Sequence, residues 1–123
     1  MSRAAVEAYF SAINAERFAD LAGVFTEEVE IHTVGAAPVV GRDAAIAHFA
    51  KLLAGYAEHE DRVTRWIEAA EAVVTEIGFT GRLRDGRPIG FSALDVFDLR
   101  EGRIAKVATW YDTRDVRRQV LAS

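Results

Sequence analysis

The sequence predicts an α+β fold in which helices pack against one face of a strongly bent antiparallel sheet. Three features point there. Apolar residues recur at helical spacing between Val6 and Phe25 and again between Ala44 and Leu53. Four long runs rich in Val, Ile, Phe and Thr follow, with alternation of period two. Two near-copies of one turn, Leu83-Arg84-Asp85-Gly86-Arg87 and Leu99-Arg100-Glu101-Gly102-Arg103, separate the last three of those runs. Helices at one end of the chain and strands at the other segregate into an α+β layout, with a cone between the first helix and the sheet.

Taken in order, Ser2 is placed to cap a first helix whose buried stripe is Val6, Tyr9, Phe10 and Ile13. The stripe breaks near Asn14 to Arg17 and resumes at Phe18, Leu21, Val24 and Phe25, which reads as a second short helix. Val29 to Thr33 alternates as a short strand, and Gly35 to Gly41, with Pro38, reads as a loop. Ala44 to Leu53 forms a third helix that buries Ile46, Phe49, Ala50 and Leu53, with Gly55 ending it. An acidic stretch, Glu58 to Asp61, opens a strand in which Val63, Arg65 and Ile67 alternate with Thr64 and Trp66. Ala72 to Asp112 is a three-stranded meander. Asp112 or Thr113 then caps a terminal helix that ends in Arg117-Arg118-Gln119-Val120, with its basic residues where the helix dipole favours them.

The 123 residues suit one domain with a real core, and half of them are hydrophobic. A net charge of −4 with no basic cluster argues against a nucleic-acid surface. The absence of cysteine removes disulfides, thiolate chemistry and zinc sites built on sulfur. No signal-like or membrane-spanning apolar run is present, so a soluble cytoplasmic protein without membrane contact is expected. His32, His48 and His59 do not fall at metal-ligand spacing, and neither a metal nor a cofactor is expected.

The middle strand of the meander, Ile89 to Leu99, carries the most informative residue. Phe91, Ala93, Asp95, Phe97 and Leu99 share one face of it. Asp95 has apolar neighbours two residues away in both directions, a costly place for a charged carboxylate. If both turns are three-residue loops, Asp95 lies opposite Thr75 and Val107, and Ile77, Phe79, Ala105, Thr109 and Tyr111 line the same face. That face, apolar with hydroxyls and one acid, suits a small-ligand pocket. A two-residue turn would instead bring Lys106 and Trp110 beside Asp95.

With these residues placed, nearly the whole chain resembles the NTF2-like superfamily, in its SnoaL-like and ketosteroid-isomerase-like branch. The resemblance is carried by Tyr9-Phe10-Ser11-Ala12-Ile13-Asn14, by Val24-Phe25-Thr26-Glu27-Glu28-Val29 and by Gly41-Arg42-Asp43-Ala44-Ala45-Ile46. Leu94-Asp95-Val96-Phe97-Asp98-Leu99 with Gly102-Arg103-Ile104, and Trp110-Tyr111-Asp112, complete it. It implies a cone-shaped α+β domain over residues 1–123 with a hydrophobic pocket. Ketosteroid isomerases pair a general-base Asp with an oxyanion hole of Tyr and protonated Asp. By position the Tyr matches Tyr9 and the protonated Asp matches Asp95, whereas the base falls at or near Thr33, which has no group to titrate. His32 is adjacent but alternates to the other face. Asp112 corresponds loosely to the acid/base Asp of SnoaL-type cyclases, and equally to a helix cap.

Two functions follow as expectations. One is acid–base isomerisation, cyclisation or dehydration of a small, largely apolar carbonyl compound. In it, Asp95 and Tyr9 donate to the oxyanion, His32 or Asp112 moves the proton, and Phe79, Phe91, Val107, Tyr111 and Thr33 line the substrate. The other is a non-catalytic ligand-binding or dimerisation module on the same fold. In either case Leu94, Val96, Ala108 and Trp110 form an apolar outer stripe that predicts a homodimer through the sheet.

Overall fold

The computed structural model describes residues 2–122. The elements run α1 (Ser2–Asn14), a 3-10 helix (Phe18–Gly23), β1 (Phe25–Thr33), β2 (Val39–Val40), α2 (Arg42–Leu53), β3 (Tyr56–Glu68), β4 (Ala72–Leu83), β5 (Pro88–Arg100), β6 (Arg103–Tyr111) and α3 (Thr113–Leu121). The six strands form one curved sheet in the order β2-β1-β6-β5-β4-β3, and every neighbouring pair is antiparallel except β1 and β6, which run parallel. This is the α+β cone the sequence predicts. The side chain of Ser2, the expected cap of α1, lies outside the described residues.

Several boundaries differ from the sequence expectation, each for a local reason. The second helix is a single 3-10 stretch, because Val24 and Phe25 are claimed by the sheet: Ile104 N donates to Val24 O at 2.9 Å and Phe25 pairs with Ile104. β1 therefore begins at Phe25 rather than Val29 and reaches Thr33 through an irregularity before Glu30. The loop from Gly35 to Gly41 contains β2, which pairs Val39 and Val40 with Ile31 and Glu30. In β3 a bulge at Thr64 resets the alternation, so Trp66 rather than Arg65 follows Val63 onto the helix-facing side. α2 begins two residues early, at Arg42, directly after Gly41 at φ 101°.

The two similar turns fold differently. Leu83 N donates to Arg87 O at 2.8 Å around a three-residue loop, with Gly86 left-handed at φ 94°, as expected. The second loop has only two residues, Glu101 at φ 51° and Gly102 at φ 79°, the double-positive pattern of a type I′ turn. A bulge at Ala105 then adds a residue to β6, so Asp98 pairs with Lys106 although Leu99 pairs with Ile104. Asp95 accordingly sits opposite Thr75, as predicted, but opposite Thr109 rather than Val107. Short turn and bulge cancel in parity, and Lys106 and Trp110 stay on the outer face.

The core lies between the helices and the inner sheet face. Val6, Tyr9, Phe10 and Ile13 of α1 and Phe49 of α2 pack on Phe25, Val73, Phe97 and Val107 of the strands, all buried. Tyr9 is the hub of this packing. Its ring lies 5.0, 5.2, 5.6 and 6.1 Å from the rings of Phe10, Phe97, Phe49 and Phe25, mostly edge to face.

Candidate active site

A cavity of about 130 Å³ opens between α1, the end of α2, α3 and the inner face of β3 to β6. Its wall includes Ile77 and Phe79 of β4, Phe91, Ala93 and Asp95 of β5, and Thr109 and Tyr111 of β6. Tyr9, Leu52 and Val116 close it from the helices, and Tyr56 and Asp61 of β3 complete it. The aromatic side is continuous: Phe79 stacks on Phe91 at 4.8 Å, with Tyr56 at 5.1 Å from Phe79 and Tyr111 at 5.5 Å from Phe91. The larger groove around Trp110 on the outer sheet face has no buried acid in its lining.

Asp95 is 5% exposed. Its Oδ1 accepts from Thr109 Oγ1 at 2.6 Å, which favours the charged form, but burial dominates and pushes its pKa up to about 7, with the nearby Asp61 adding in the same sense. Thr75, its other cross-strand neighbour, is fully buried with its hydroxyl unpartnered among the described residues. Burial, then the charges of Asp95 and Asp61, hold the Tyr9 phenol well above its ordinary value, so it keeps its proton. Tyr9 thus presents its O–H at neutral pH, and Asp95, with a value of about 7, keeps its O–H below neutral pH and is about half protonated at neutrality.

α3 is fastened over the cavity by residues distant in sequence. Arg87, in the first hairpin turn, donates to the carbonyls of Gln119 at 3.1 Å and Val120 at 3.0 Å, and to that of Ala122. Gln119 exchanges two hydrogen bonds with the Gly90 backbone, at 2.8 and 3.0 Å. These contacts hold Val116 at the cavity.

The other expected residues divide. Phe79, Phe91 and Tyr111 line the cavity. Val107 is on the inner face but fully buried beneath the core, and Thr33 lies one strand beyond Thr109, so neither lines it. His32 points to the other face, where its Nε2 lies 2.8 Å from Glu30 Oε1. Asp112 is committed to capping: its Oδ1 accepts from Asp115 N at 3.0 Å. The structure brings neither His32 nor Asp112 to Asp95, because strand alternation turns the first outward and the helix start occupies the second.

The residue that sequence reasoning missed is Asp61. It closes the acidic stretch Glu58 to Asp61 within β3, pairs with Phe79 and faces inward. Burial raises its pKa to about 6, with His59 opposing and Glu60 reinforcing the rise. The available signal was that Asp61 stands two residues before Val63 and shares its face.

The model of the SnoaL-like domain family matches residues 6–107. The chain belongs to this family. With it comes membership of the NTF2-like superfamily, and solved structures agree with the fold. A protein from Jannaschia Sp. CCS1 described as a SnoaL-like polyketide cyclase superposes with a TM-score of 0.91 at 18% identity, over 99% of this chain and 92% of that one. An NTF2-like protein of unknown function from Burkholderia pseudomallei gives 0.90 at 17%, over 98% of each chain. An LEH-like epoxide hydrolase from M. tuberculosis gives 0.81 at 22%, over 95% and 86%. No curated protein matches the sequence. Among the described residues no helix is long and apolar enough to cross a membrane.

Proposed function

We propose that this SnoaL-like protein performs acid–base chemistry, an isomerisation, cyclisation or dehydration, on a small, largely apolar carbonyl compound bound in the cavity. The observation that carries this reading is the buried Asp95 carboxyl in an aromatic-lined cavity, beside a second O–H donor on Tyr9. A neutral carboxylic acid and a phenol donate to a carbonyl oxygen and stabilise it as negative charge develops there. The lining holds no Lys, Arg or His, which disfavours an anionic substrate and suits an uncharged one. The volume, about 130 Å³, suits a compact ligand of one ring. Proteins of the same fold described as polyketide cyclases and as an epoxide hydrolase are in keeping with this reading.

Binding of 4-nitrophenol, whose oxygen mimics the oxyanion, tests it. The wild-type protein should bind saturably with a shifted absorbance band, and Tyr9→Phe and Asp95→Ala should each weaken binding about tenfold or more, the worth of one hydrogen bond to a charged oxygen. No binding, or binding indifferent to both changes, would overturn the proposal.

We also propose that two copies associate through the outer sheet face. Trp110 is 55% exposed there, in a groove with Leu94, Ser92, Glu76 and Thr64. Sedimentation should give a dimer at micromolar concentration, and Trp110→Ser should give a monomer; a wild-type monomer would refute the dimer.

A further inference from the structure

The donors described above leave a proton acceptor unassigned, and the position where the family resemblance expects one holds Thr33. We infer that Asp61 is that acceptor, a catalytic residue on β3, across the sheet from Thr33 on β1. The inference rests on the acid–base reading of the cavity given above and adds the residue that moves the proton.

Position comes first. Thr33, Thr109, Asp95, Thr75 and Trp66 form one cross-strand row over β1, β6, β5, β4 and β3. Asp61 stands on the far strand of that series, and it shares the cavity with Asp95 and Tyr9. A ligand between β5 and β3 would therefore have donors on one side and a carboxylate on the other.

Availability comes second. The Asp61 carboxyl has no hydrogen-bonding or ion-pairing side chain among the described residues. Arg62, adjacent in sequence, is exposed on the other face of β3, and His59, two residues before Asp61, is taken up by Glu16: its Nε2 lies 2.7 Å from Glu16 Oε2. A carboxylate tied to a cation is a poor base, and this one is left unpaired where it meets the cavity.

Rigidity comes third. Asn14, the last residue of α1, grips the Asp61 backbone from both sides: its Oδ1 accepts from Asp61 N at 2.8 Å and its Nδ2 donates to Asp61 O at 2.9 Å. Tyr9 lies on the same helix, five residues earlier. One helix thus fixes both an oxyanion donor and the acceptor, the preorganisation that proton abstraction requires.

The step is a proton transfer. A C–H bond α to the carbonyl breaks, its proton passes to an Asp61 carboxylate oxygen, and the electron pair moves into the enolate, whose oxygen is held by the O–H groups of Asp95 and Tyr9. Return of the proton from Asp61 to carbon restores the carboxylate. The two acids divide the labour by depth: Asp95, the more deeply buried, holds its proton more strongly than the half-buried Asp61.

The test is solvent-deuterium incorporation α to the carbonyl of cyclohexanone, followed by NMR with the full chain. The wild type should catalyse exchange with a rate rising through pH about 6 and falling above about 7. The titratable groups facing Asp61 are Tyr9 from α1, Tyr56 and His59 from its own strand, Asp95 from β5 and Tyr111 from β6, with the charges of Glu60 and Arg62 beside it on the outer face. Asp61→Asn should lower the rate about 100-fold or more and remove the acidic limb. Exchange within threefold of wild type in Asp61→Asn would overturn the assignment and leave the donor reading standing. No exchange by the wild type would overturn it too, while 4-nitrophenol binding tests the donors separately. Should Asp61→Asn not fold, the wild-type acidic limb decides: it must coincide with the Asp61 carboxyl titration read by carbon-13 NMR, and a mismatch of a full pH unit overturns the inference.

Discussion

Asp95→Asn should make the protein more stable at high pH and change it little at low pH. The carboxyl is buried, and burial lifts its pKa from the ordinary 3.8 to about 7. Below about pH 4 the carboxyl is protonated in both the folded and unfolded chains and costs nothing. Between 3.8 and 7 the folded chain keeps a proton that the unfolded chain releases, so stability falls as pH rises. Above 7 both forms are ionised and the full cost of burying the charge is present. The gap between 3.8 and about 7, at about 1.36 kcal/mol per pH unit, comes to about 4 kcal/mol. Asparagine keeps the shape and the acceptor for Thr109, and never ionises. Urea unfolding of both proteins from pH 4 to pH 9 measures the effect, and Asp61, present in both, largely drops out of the difference. The advantage of Asp95→Asn should grow from near zero to about 4 kcal/mol and level off above pH 8. An advantage that does not vary with pH, or a variant that loses ground as pH rises, would refute the burial argument.

Two further outcomes follow from backbone geometry. Asn14→Ala removes both bonds to the Asp61 backbone and should cost about 1–3 kcal/mol in urea unfolding, together with weaker protection of the Asp61 amide in hydrogen exchange. Glu101→Gly should stabilise by about 0.5–1 kcal/mol, seen as a raised Tm, because Glu101 occupies φ 51° where a Cβ is penalised.

The cone was legible because its signals are local: helical spacing in the first half, alternation and turn glycines in the second. Asp95 and Tyr9 stood out for the same reason, an acid in an apolar alternation and an aromatic on an apolar helix stripe. What stayed hidden was set by bulges. Leu83 to Arg87 and Leu99 to Arg103 share a pattern, yet one closes in three residues and the other in two, and only the bulge at Ala105 restores the face of Thr109. Nothing in the local composition distinguishes them; the sheet decides, since β6 must also run beside β1. Asp61 was hidden by company, standing in an acidic stretch whose other members, Glu58 and Glu60, are exposed. His32 and Asp112 show the opposite error, in which suitable chemistry was present on residues that alternation and helix capping had already placed elsewhere.

The central claim is that Asp95 carries a proton inside the cavity near neutral pH. Carbon-13 NMR of its carboxyl, with Asp95→Asn to assign the resonance, measures this directly. The account predicts a midpoint near 7. A midpoint at or below about 3.9, the value of an unperturbed aspartate, would contradict it and leave Asp95 a structural carboxylate.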